Sequence, residues 1–226
     1  YSLLAYHTAW LKVHCTAEFY AANMTVEMDD TDKLKVLLSD AKQLGVSFEP
    51  PDVNRGVYRF EPVDDKCVRY GLGAIKGTGQ AAIEAIVAAR EGSEGDDGRG
   101  GAPFRSLFDF CARVDRQRIN KRVVEALIKA GAFDKLHAER AGAAGSSQPA
   151  GGPAGGRAEG AGGRSDLLAS VSLALEWADT QAAHADQGGL FDFGDSHAAS
   201  PHEPALVAAL PWDIKERLTH EKTAVG

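Results

Sequence analysis

The sequence predicts a mainly α-helical chain that carries one small β-ribbon. Two observations lead there. Apolar residues recur at three- and four-residue spacing along most of the chain, with Ser, Thr, Asn or Gly where those patterns start and stop. Strand-like composition is confined to one stretch, where Val57–Phe60 and Cys67–Tyr70 flank a turn over Pro62–Lys66.

Leu3 to about Asn23 reads as helix with a break near Cys15-Thr16, Thr16 being placed to cap the second half. A further helix runs from about Thr31 to Leu44, with Leu34, Leu37, Leu38, Ala41 and Leu44 on one side and Gly45 as its stop. The aromatics of these helices are expected in the core. Pro50-Pro51 enforces an extended segment before the ribbon. After the ribbon, Gln80–Arg90 is helical through Ile83, Ile86 and Val87. Ser106 is placed to cap a helix with Leu107, Phe108, Phe110 and Cys111. Asn120 is placed to cap another with Val123, Val124, Leu127 and Ile128, ending at Gly131. Ala141–Gly163 is Gly, Ala, Ser and Pro with almost no apolar bulk, so it reads as a flexible linker. From Ser165 a helix resumes on Leu167, Leu168, Val171, Leu175 and Trp177.

Composition narrows the function classes. No apolar run approaches the length that crosses a bilayer, and no signal-peptide pattern opens the chain. Cys15, Cys67 and Cys111 are odd in number and far apart, which suits reduced core thiols in a cytoplasm better than a zinc site or disulfides. Net charge is −7, but it is uneven. Residues 105–140 hold 9 basic against 5 acidic side chains, whereas 141–226 hold 5 against 11. A local basic face can hold phosphates on an acidic chain.

The most informative stretch is Tyr70-Gly71-Leu72-Gly73-Ala74-Ile75-Lys76-Gly77-Thr78-Gly79, which runs directly into a helix. Glycines permit a tight turn and close backbone approach, while the first N–H groups of the helix face outward at the positive end of its dipole. That is a phosphate cradle, to which Lys76 and Thr78 add a charge and a hydroxyl. A P-loop is excluded, because the order here is Lys76-Gly77-Thr78. A dinucleotide fold would need a strand after the helix, and Glu91–Gly101 has no strand pattern. The same residues could form a plain turn between packed helices. Arg116, Arg118, Lys121 and Arg122 crowd a second helix start, where positive charge opposes the dipole unless phosphates neutralise it. A solvated charged turn is the alternative there.

Four motifs occur in one order: Tyr6-His7-Thr8-Ala9-Trp10-Leu11-Lys12, Pro50-Pro51-Asp52-Val53-Asn54, Tyr70–Gly77, and Leu127-Ile128-Lys129-Ala130-Gly131-Ala132-Phe133-Asp134. Together they resemble the alpha subunits of bacterial DNA polymerase III, the C-family replicative polymerases, closely over residues 1–140 and again from about Ser165. Cys15-Thr16 departs from the Tyr-Pro pair common there. The resemblance implies an internal piece: the end of the polymerase fingers (1–55), a tandem helix-hairpin-helix module (56–140), the linker (141–164), and a clamp-binding region leading toward an absent OB-fold (165–226). The implied partners are template–primer duplex, gripped without base information by Lys76, Gly77, Thr78, Gly79, Arg116, Arg118, Lys121 and Arg122, and the other holoenzyme subunits. No residue here is expected to be catalytic. The family's Mg²⁺-binding carboxylates lie upstream, so no cofactor is expected in this piece.

Gln187-Gly188-Gly189-Leu190-Phe191-Asp192-Phe193 adds a second signal. A Gln followed at fixed spacing by Leu-Phe resembles the sliding-clamp peptide of bacterial replication proteins. Leu190, Phe191 and Phe193 would fill an apolar groove while the Gln187 amide bonds at its rim. Alternatively these residues fold back as a small core. Two other functions fit the same motifs: a non-catalytic DNA- and clamp-binding adaptor, and the error-prone C-family paralogue.

Overall fold

Asp30 begins the third of the chain's helices by accepting hydrogen bonds from the Asp32 and Lys33 N–H groups, and this local chemistry is typical of how the elements start. The computed structural model describes residues 1–92, 101–137, 163–187 and 203–226, without the side chains of 184–187. Among these the order is α1 (Ser2–His14), α2 (Thr16–Val26), α3 (Thr31–Gln43), β1 (Ser47–Glu49), β2 (Glu61–Asp64), β3 (Cys67–Arg69), a 3₁₀ turn (Leu72–Ala74), α4 (Gln80–Glu91), α5 (Leu107–Arg113), α6 (Lys121–Lys129), α7 (Gly163–Gln187) and α8 (Ile214–Val225). The chain is mainly helical, as its apolar spacing indicates. Ser106 and Asn120 cap α5 and α6 by accepting from the Asp109 and Val123 N–H groups, as expected. The stops at Gly45 and Gly131 also hold, both with positive φ.

Two apolar clusters result. One joins α2 and α3 to the sheet through Tyr20, Met24, Leu34, Phe60, Val68 and Tyr70. The other gathers α4, α5, α6 and α7 around Phe104, Phe108, Phe110, Val124, Leu127, Phe133 and Val171. Val225, at the end of α8, packs against both. The α7 pattern is as expected, with Leu167, Val171 and Leu175 buried and Leu168 and Trp177 partly so.

Several expectations are corrected. The ribbon has three strands in the order β1-β3-β2, with β1 parallel and β2 antiparallel to β3. Residues 57–60 are not its first strand. The Val57 and Tyr58 carbonyls accept from the Leu72 and Gly73 N–H groups, while the Phe60 N–H donates to Thr25 Oγ1. Arg69 spans the sheet instead, reaching Glu49 at 3.0 Å and Glu61 at 3.5 Å. Thr16 does not cap α2, because its hydroxyl turns back to the Lys12 carbonyl. Helix α7 starts at Gly163, so Gly163 and Arg164 are helical rather than linker. Cys111 is buried, and burial pushes its thiol up to about 12, but Cys15 and Cys67 are only half-buried. Helix α1 buries none of its residues, leaving Leu3, Leu4, Tyr6, Trp10, Leu11 and Val13 exposed. Its aromatics are therefore outside the core. Lys12 ties α1 to Asp40 of α3 at 2.7 Å, and the buried Tyr20 donates to the same carboxylate at 2.5 Å.

Candidate nucleic-acid interface

The first hairpin is built from both sides. Gly71 and Gly73 lie against the backbone and ring of Tyr58–Phe60, where an added Cβ would meet atoms at 2.5–2.8 Å. These two glycines therefore serve packing within the chain and not approach of a ligand. Lys76, Gly77, Thr78 and Gly79 then form the turn that opens α4. Gly77 has φ +90, a backbone state that L side chains avoid. The Thr78 hydroxyl faces inward, 2.6 Å from the Ile75 carbonyl and 2.9 Å from that of Leu72. Its single proton is committed to these acceptors, which corrects its expected role as an outward donor.

The Lys76 N–H is also used internally, donating to the Ala224 carbonyl of α8 at 2.7 Å. A carbonyl in the last turn of a helix has no partner within that helix, so this contact satisfies both groups. What remains open is well defined. The N–H groups of Gly77, Gly79, Gln80 and Ala81 bond to no described residue, and the exposed Lys76 side chain makes no ion pair with a described residue. No atom of the described residues lies within 4 Å of a Cβ built at Gly77 or Gly79. Four unpaired donors at the N-terminus of a three-turn helix, beside a lysine, present an anion-seeking surface.

The second hairpin, between α5 and α6, is closed by Asp115. Its carbonyl accepts from the Arg118 and Ile119 N–H groups, and its carboxylate accepts from Gln117 N–H at 2.8 Å. The N–H groups of Asn120, Lys121 and Arg122 bond to no described residue. The four cations expected there differ in state. Among the described residues, Arg122 is exposed with no ion pair and Arg118 only approaches Asp115 at 3.8 Å. Arg116 makes a two-pronged pair with Asp179 of α7, Nε at 2.9 Å and Nη2 at 3.1 Å. Lys121 Nζ donates to Ser172 Oγ of α7 at 2.9 Å. Hydrogen bonds to Arg116 hold the Asp179 carboxyl below its ordinary range, and the same pair raises the Arg116 guanidinium. Arg116 and Lys121 thus help to dock α7, a role that their place in the sequence did not reveal.

Other supporting residues also lie far apart in the chain. Arg164 of α7 reaches Asp134 at 2.7 Å, Glu221 of α8 at 2.6 Å and the Lys129 carbonyl. Burial works against its charge, and the hydrogen bonds it donates to Asp134 and Glu221 more than offset this. The Pro-Pro-Asp-Val-Asn motif is structural. The Asn54 side chain pairs with both backbone groups of Phe104, and Arg90 donates to the Val53 and Gly56 carbonyls. Gln187 closes α7. Its side chain and the expected clamp contacts Leu190, Phe191 and Phe193 lie outside the described residues. Among the described residues, no three His, Cys, Asp or Glu side chains are grouped to hold a metal ion, and no helix is long and apolar enough to cross a membrane.

Comparison with known proteins fits this geometry. The helix-hairpin-helix motif family matches residues 45–143. The DNA polymerase III subunit alpha of Neisseria meningitidis serogroup B is 43% identical over all 226 residues, and that of Escherichia coli K12 is 45% identical over 228 aligned positions. The Vibrio cholerae subunit is 50% identical over 141 residues, 62% of this chain and 12% of its own length. The chain spans only 17% of the length of the Neisseria and Escherichia proteins. Over its whole length, hairpins included, the chain is homologous to a segment of the DNA polymerase III alpha subunits.

Proposed function

We propose that this chain is the part of a DNA-directed DNA polymerase that holds duplex template–primer by its phosphates and ties the enzyme to its sliding clamp. The observation that carries the first half is the row of open N–H groups at Gly77, Gly79, Gln80 and Ala81 beside Lys76. Backbone donors and cations contact phosphate oxygens whatever the sequence, which suits an enzyme that copies every sequence. The similarity runs through all 226 residues and not only through the hairpins, which favours a polymerase over an adaptor that borrowed the motif. Templated nucleotidyl transfer, with Mg²⁺ as the metal, belongs to carboxylates elsewhere in the longer protein. The described residues do not form such a group, so no metal step is assigned to them.

The DNA half is tested by duplex affinity against salt. Lys76→Ala and the pair Arg118→Ala/Arg122→Ala weaken binding on all sequences alike, and each lost phosphate contact flattens the salt slope by about one unit. Unchanged slopes in both variants would remove the assignment. The tether rests on Gln187, the last residue of α7, and on Leu190, Phe191 and Phe193 after it in the sequence. Leu190→Ala/Phe191→Ala abolishes binding of purified clamp while the unfolding midpoint stays put, since the two residues act as peptide anchors. Gln187→Ala costs less, about 0.5–1.5 kcal/mol for one rim hydrogen bond. A lowered midpoint with clamp binding intact would show that these residues belong to packing.

A further inference from the structure

We infer that Asp179 is an internal stand-in for a DNA phosphate at the second hairpin, and that it sets how tightly that hairpin holds duplex. The inference rests on the DNA-binding reading above. Arg116 presents Nε and Nη2 to the two Asp179 oxygens at 2.9 and 3.1 Å, the fork geometry with which a guanidinium also takes two phosphate oxygens. One helical face supplies two such occupants. Ser172 and Asp179 are seven residues apart on α7, two turns along one side, and they engage Lys121 and Arg116 respectively.

The cover is local and exchangeable. The Asp179 side chain is 60% exposed and that of Arg116 is 35% exposed, so water and ions reach the pair. Helix α7 itself stays anchored by the buried Val171, Ala174 and Ala178 and by the edge-on contact of Trp177 with Phe108. Only the Arg116 side chain has to turn from carboxylate to phosphate. The neighbouring Arg118 and Arg122 have no partner among the described side chains of α7, so a duplex docks on them first and then competes with Asp179 for Arg116. A replicative enzyme gains from such a brake, because a grip that is too firm opposes translocation.

The test is a double-mutant cycle with fluorescence anisotropy of a labelled mixed-sequence duplex, using the 226-residue chain at several salt concentrations. Asp179→Asn frees Arg116, tightens binding by about two- to fivefold at low salt, and steepens the salt slope by about one unit. Arg116→Gln alone changes affinity little, and in the Asp179→Asn background it removes the gain. Glu176→Gln, the loss of an equal charge one turn away, gives less than half the gain. Equal gains from the two charge removals, or a gain that survives Arg116→Gln, would overturn the inference in favour of general repulsion. Unchanged or weaker binding by Asp179→Asn overturns it outright, and Asp179→Ser is read instead if the Asn variant loses helix content. If the wild-type chain binds no duplex at all, the DNA-binding reading fails. If wild type binds with a Lys76-dependent slope and the cycle is flat, only the role of Asp179 fails.

Discussion

Gly79→Val leaves the thermal unfolding midpoint of the chain in place and lowers duplex affinity tenfold or more, a loss of about 1.4 kcal/mol or greater. The two halves of this expectation have separate grounds. Gly79 has an ordinary φ of −84, and an added Cβ would meet no atom of the described residues within 4 Å, so their packing does not require glycine there. A branched side chain would nevertheless stand beside the open N–H groups of Gly77, Gly79, Gln80 and Ala81, where a phosphate must come close. Gly77→Val is the companion variant. At φ +90 it adds backbone strain of about 1–2 kcal/mol, so affinity and stability fall together. Calorimetric or fluorescence-detected unfolding beside an affinity titration separates the two. Wild-type affinity in Gly79→Val would mean that this turn only joins helices.

Phe110→Ala destabilises the helical module by about 3–5 kcal/mol, which in a chain of this size lowers the midpoint by roughly 6–20 °C. Phe110 is fully buried and takes edge-on contacts from Phe104 and Phe133, each with ring centroids 5.0 Å away. Truncation therefore leaves a cavity and also removes two aromatic pairs, each worth about 0.5–1.5 kcal/mol. Phe133 follows α6, and Asn54 pins the Phe104 backbone, so the ring stack is the joint between segments far apart in sequence. Circular dichroism through a thermal ramp measures the shift. A midpoint lowered by less than a couple of degrees would mean that the stack contributes little.

How much could be read in advance divides along the range of the interactions. Ser106, Asn120, Gly45 and Gly131 were legible because a cap or a helix stop is settled within four residues. The apolar face of α7 was legible for the same reason: Leu167, Val171 and Leu175 repeat with the helix. The hairpin turn and its open helix end were also visible, since Gly77 is where the chain needs positive φ. Long-range commitments were not. Nothing near Thr78 announces that its hydroxyl closes on Leu72, and nothing near Arg116 or Lys121 announces partners some fifty to sixty residues later. The strand expected at 57–60 failed similarly, because Phe60 found Thr25 of α2 and the true parallel partner of β3 lay at 47–49. A cluster of cations reads as a single surface in sequence. Tertiary packing then divides it into some that dock a helix and some that face outward.

The hydrogen bond from Lys76 to Ala224 joins residues about 150 positions apart. A ribosome adding about 5–20 residues per second takes on the order of ten seconds to cover that distance. During that interval the glycine turn has emerged while the carbonyl that pins it has not been made. The local contacts of the turn can form within microseconds, but its final backbone donor must wait for α8. The hairpin is therefore held half-finished until α8 has been made, and nascent chains stalled before residue 224 would show rapid amide exchange at Lys76.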